Sequence, residues 1–190
     1  MIELQNIAKL LPPYFLSEAM KYQEEKQDFF FSVLFFGLVS GGYFTTIKSF
    51  ELTPQKIITD NREIPITKKA YKLLKPLANV DPKLFKITFD GCKQNSINMF
   101  KNWHKDKYNR NKIILNPPKD FYLYSTYTNT YYAYLYHYKL LKAVTISNIT
   151  QKSYSSVHRD IIPQVKRAMK YYDYNYDYLW NIVDNLVAME

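Results

Sequence analysis

One cysteine, four glycines and no apolar run long enough to cross a bilayer bound what this 190-residue chain can be. The lone thiol, Cys92, forbids an intramolecular disulfide and any cysteine-based zinc cluster, so it reads as a small packed thiol of a reducing compartment. Scarce glycine beside nine prolines argues against a fibrous or low-complexity chain. The most apolar window, FFFSVLFFGLVSGG (29–42), is shorter than the roughly 20 residues a membrane-spanning helix needs, and reads as a buried helix. His104, His137 and His158 stand far apart without metal-ligand spacing, so no metal site is expected. No phosphate-binding glycine loop and no GxSxG elbow occurs, and HRD at 158–160 lacks every other element of a kinase. No cofactor is expected. Glu3 follows Met1 closely where a secretory signal would carry a basic segment and an apolar run, so the expected location is cytoplasmic.

What the chain does have is positive charge, unevenly spread. The net charge is +9, yet the first fifty residues are rich in acids, and the last twenty hold no lysine or arginine. The excess lies in two stretches, 93–112 and 139–170. A basic band between neutral ends reads as a binding face, for nucleic acid first and an anionic membrane second. The first candidate patch is Lys101, Lys105, Lys107, Arg110 and Lys112, with Trp103 and His104 interleaved; a solvated helix face is the competing reading. The second is Lys139, Lys142, Lys152, Arg159, Lys166, Arg167 and Lys170. Cations of this kind would hold duplex DNA by its phosphates, positioning the protein without reading sequence.

A hydrophobic content of 47% is ample for one core, and neither a repeat nor a linker is visible, so a single domain over 1–190 is expected. The fold class expected is mostly α with a small antiparallel β-hairpin or sheet. Helices are predicted over 14–27 and 28–40, the second stopped by Gly41-Gly42. Residues 43–50 are a short helix or extended connection, and 56–67 alternates as a hairpin about Asp60-Asn61. Thr67 can cap a helix over 68–78. The run 84–91 is not assignable; 94–108 reads as helix, and a long helix follows the NPPKD loop (116–120) through about 142. Two short helical pieces fit 145–162, and an amphipathic helix fits 163–189. The C-terminal part, 171–190, is a candidate dimer or partner contact.

Tyrosine is concentrated in FYLYSTYTNTYYAYLYHY (121–138). On a helix, Tyr127, Tyr131, Tyr134 and Tyr138 form one stripe, which reads as core with each hydroxyl reaching an edge or a water. Tyr124, Tyr132 and Tyr136 fall on other sides, open to base stacking, phosphate contact or plain surface.

The order of elements, from a buried helix and glycine turn to a β-hairpin, helices and a Ser-rich piece, resembles the catalytic domain of tyrosine recombinases. This phage-integrase family includes a divergent archaeal and viral branch. The resemblance covers about 15–175 and rests on order and hydrophobic pattern. It would place Val39 at the first catalytic arginine, within FGLVSGGYFTTIKSF, and Gly42 near the usual acid. Ile58 falls at the hairpin lysine, with Lys56 and Arg62 close by; Ser125 and Thr128 fall at the His and Arg of the central box. In QKSYSSVHRD, Ser153 falls at the second His or Trp and Asp160 at the nucleophilic tyrosine. Phosphodiester cleavage needs preorganised cations where charge develops, and Val39, Ser125 and Thr128 supply none. The resemblance therefore implies a catalytically inactive, DNA-binding relative, an accessory or regulatory factor of a mobile element. Two alternatives remain. One is an active strand-transferase with cations from Lys56 or Arg62, His158 and Arg159, and Tyr171 or Tyr172 as nucleophile. The other is a basic protein-interaction module, such as a small viral effector, whose tail YYDYNYDYLW (171–180) packs on a partner or a second copy.

Overall fold

Asp28 lies in extended backbone, and its carboxylate accepts the Phe31 N–H at 3.0 Å, which starts helix α2 (Phe29–Val39). Every residue from Phe31 to Val39 is buried. A helix apolar on all sides belongs at the centre of a core, and α2 is central here. The computed structural model describes residues 13–41, 49–81, 124–166 and 183–188, with isolated helical positions at 95, 98, 102, 103 and 106. Helix α3 (Lys68–Leu74), its 3-10 extension Lys75–Asn79 and helix α4 (Tyr124–His137) pack on α2; helix α1 (Pro13–Lys26) packs on α3 and α4. One buried amide ties three of these together. Gln23 of α1 donates to Ser32 Oγ at 2.7 Å and to the Leu73 carbonyl at 2.9 Å, so its polar atoms are satisfied in an apolar setting.

The predicted hairpin forms as β2 (Lys56–Thr59) and β3 (Glu63–Pro65), with Ile57 opposite Ile64 and both buried. Lys56 and Glu63 pair at 2.7 Å near the exposed edge. A third antiparallel strand precedes them, β1 (Phe50–Leu52), in the order β1-β2-β3. Its anchor is Phe50, whose ring meets Phe36 edge-on with centroids 4.8 Å apart. Thr67 caps α3 as expected, its hydroxyl accepting the Ala70 N–H at 3.2 Å. The structure is thus mostly helical with one small antiparallel sheet, and among the described residues no helix is long and apolar enough to cross a membrane.

Two expected helices are corrected. The first does not run to 142 but stops at His137. Lys139 takes a left-handed φ of 58°, the Lys139 N–H bonds to the Tyr136 carbonyl at 3.0 Å, and the Leu140 N–H reaches back to Leu135 at 2.8 Å. This is a Schellman ending with lysine where glycine is usual, so no glycine marks the stop in the sequence. Helix α5 (Ala143–Thr150) starts afresh after Lys142, followed by α6 (Tyr154–Ser156), which continues into a π-helical turn, Val157–Ile161.

The second correction is at the C-terminal end. Residues 164–166 are helical, but 183–188 is not: it carries no helix and a single β-bridge at Val187. Val187 bridges Ile66, the Ala188 N–H bonds to the Pro65 carbonyl at 2.9 Å, and the Thr67 N–H bonds to the Leu186 carbonyl at 3.0 Å. The outer edge of β3 needs hydrogen-bond partners, and this segment supplies them while burying Val183, Leu186 and Val187. That demand overrides the helical spacing of the same residues. The readings for 42–48, 84–91, the rest of 94–108, the 116–120 loop and 167–182 lie outside the described residues.

Candidate nucleic-acid interface

Three tyrosines of α4 are buried in the core, and the hydroxyls of Tyr131 and Tyr132 make structural hydrogen bonds. Tyr131 accepts the Leu186 N–H at 2.7 Å. Tyr132 lies off the expected stripe yet is fully buried, and donates to the Leu38 carbonyl at 2.7 Å with Val39 at 3.1 Å. Tyr134 is fully buried as well. Desolvation raises the pKa of all three well above the ordinary phenol value, which keeps them neutral. The stripe misplaced Tyr132 because α4 is wrapped on more than one side, by α1, α2 and the 157–161 turn.

The last turn of α4 leads to a different environment. Where the Schellman turn swings the chain outward and α5 begins, a cleft of about 700 Å³ opens against the 154–166 segment. Lys139, Lys142 and Lys166 line it with His137 beside them, and among the described residues no carboxylate is in the lining. Lys142 occupies the N-cap of α5 without a side-chain cap bond, and all three lysines are exposed. The apolar lining includes Leu141, Val144, Ile162 and Val165, and Tyr136 and Tyr154 form aromatic walls. Tyr154 stands against His158 at a centroid distance of 4.5 Å, and His158 in turn meets Tyr136 at 6.3 Å. Desolvation lowers the His137 pKa, so this imidazole is neutral near pH 7.

The second basic patch is therefore only partly assembled. Lys139, Lys142 and Lys166 come together in the cleft. Lys152 does not line it; half-buried, it donates to Asn129 Oδ1 at 3.5 Å. Arg159 is exposed and held bidentate by Asp160, at 2.8 and 2.9 Å, which lowers the Asp160 pKa. Lys101, Lys105, Lys107, Arg110, Lys112, Arg167 and Lys170 lie outside the described residues. The sequence leaves Tyr136 open to base stacking, phosphate contact or plain surface, while His137, Val144 and Tyr154 were not foreseen as site residues. Their only signal was proximity to the lysines, since periodicity does not say which face of a short helix stays open.

The positions singled out by the recombinase resemblance have other occupations. Val39 and Thr128 are buried. Ser153 caps α6 by accepting the Ser156 N–H at 3.1 Å. Arg62 spreads its guanidinium between the carbonyls of Ser40 and Ile149, at the C-terminal ends of α2 and α5. There it satisfies orphan carbonyls and opposes two helix dipoles. Burial lowers its pKa, but arginine remains charged. Gly41, at φ 77°, lets the end of α2 touch α5, since a Cβ there would lie 2.5 Å from the Ile149 oxygen. No protein-family model, curated protein or solved structure matches the chain.

Proposed function

We propose that this chain is a DNA-binding protein without strand-cleaving activity, which holds duplex DNA by lysine–phosphate contacts. In the role its resemblance implies, it serves as an accessory or regulatory factor of a mobile element. The observation that carries the reading is the convergence of the exposed side chains of Lys139, Lys142 and Lys166 on one cleft. Lysine is a compact charge on a flexible stem, suited to following a phosphate backbone and releasing its counterions. Binding is favoured over cleavage because three of the cations a strand-transferase would recruit are engaged elsewhere. Lys56 pairs with Glu63, Arg62 caps two helices, and Arg159 is neutralised by Asp160.

The test is fluorescence anisotropy on a random-sequence duplex across a salt series. Each neutralised phosphate contributes about 0.9 to the log–log slope, so a slope of several units is expected. Absence of binding at low salt would overturn the reading and move the protein to the interaction class.

A further inference from the structure

The cleft has a feature that phosphate contacts leave unexplained. Its lining includes the two exposed large hydrophobic side chains among the described residues, Val144 at 53% and Tyr154 at 56%. Solvent-facing apolar groups gathered at one concavity mark a binding surface. Duplex DNA offers little to such a surface, because its base faces are stacked inside the helix and its exterior is phosphate, sugar and groove edges. At about 700 Å³ the cleft is on the scale of a small-ligand pocket, so a double helix can reach its exposed lysines but cannot enter it. An unstacked nucleotide carries both groups the cleft would match, an anionic phosphate and a flat apolar ring.

Resting on the nucleic-acid reading above, we infer that the cleft takes an unpaired nucleotide of single-stranded DNA. The base stacks on Tyr154 above the floor of Val144, Ile162 and Val165, and the flanking phosphates meet Lys139, Lys142 and Lys166. His158, behind Tyr154 at 4.5 Å, limits where that ring can turn. A stacking platform with a cationic rim tolerates any base, because every base has a π-face. The protein would thus prefer DNA ends, overhangs or opened junctions to continuous duplex.

The experiment compares three labelled ligands at one salt concentration: a 12-nucleotide single strand, its blunt duplex and an abasic strand of equal length. The inference predicts that the single strand binds about tenfold tighter than the other two. Tyr154→Ala should abolish that preference, and Tyr154→Phe should keep it. Tyr154 is exposed, so neither change removes a core contact. Equal affinity for all three ligands, insensitive to Tyr154→Ala, overturns the inference and leaves duplex binding standing. Binding to none of them overturns both. Sedimentation of the protein alone adds a separate check: a dimer abolished by Tyr154→Ala would show a second copy covering the cleft and overturn the inference.

Discussion

The hydroxyl of Tyr131 accepts a hydrogen bond from the backbone N–H of Leu186 at 2.7 Å, joining the tyrosine helix to the C-terminal segment that edges β3. Tyr131→Phe leaves that N–H buried without its acceptor and should cost about 1–3 kcal/mol in urea unfolding. Tyr132→Phe should cost less, because the Leu38 carbonyl it loses keeps the Gly41 N–H at 3.2 Å. An orphaned carbonyl lone pair is tolerated better than an orphaned N–H. The reverse order would contradict this account of the tyrosines.

Arg62 serves two helix ends with one planar fork. Arg62→Lys retains the charge but can serve only one carbonyl well, so stability should fall by about 1–3 kcal/mol. Affinity for DNA should stay within about twofold, since Arg62 lies outside the cleft. A large loss of binding with unchanged stability would return Arg62 to the role of a DNA-contacting cation.

Gly41→Ala should be among the more damaging single-methyl additions. The new Cβ would lie 2.5 Å from the Ile149 oxygen and 2.7 Å from the Thr150 Cα, both backbone atoms, at a φ that L-residues rarely adopt. Thermal unfolding should register a loss of about 2–4 kcal/mol.

His137 makes the cleft pH-sensitive. Its pKa is lowered from 6.5 by desolvation, so the unfolded chain takes up the proton first as pH falls. The stability it contributes is complete above pH 6.5 and is lost as pH falls through the lower folded value. A phosphate bound beside His137 would reverse that preference by favouring imidazolium, so affinity should rise as pH drops from 7 towards 6. Anisotropy titrations of wild type and His137→Gln should show the rise diminished in the variant; equal rises would place His137 away from the bound phosphate.

Local chemistry made part of this fold legible from sequence. Thr67 is a cap residue followed by apolar spacing, Asp60-Asn61 interrupts an alternating pattern, and the apolar 29–42 window reads as a buried helix. What stayed hidden depends on the tertiary structure. The Schellman turn at Lys139 carries no glycine, and the segment 183–188 has apolar residues whose spacing fits a helix until β3 demands an edge partner. The candidate site was half legible. Lysines at 139, 142 and 166 are visible as charge, but their convergence requires the break after His137. The open apolar wall of Val144 and Tyr154 has no sequence signature at all.

The most direct measurement compares the salt slope of DNA binding for wild type and the triple variant Lys139→Ala, Lys142→Ala, Lys166→Ala. All three side chains are exposed, so the variant should fold, which far-UV circular dichroism checks. If the cleft grips the backbone, the log–log slope falls by about 2–3 units and affinity drops at every salt concentration. An unchanged slope and affinity would contradict the account, because the phosphates would then be held elsewhere on the molecule.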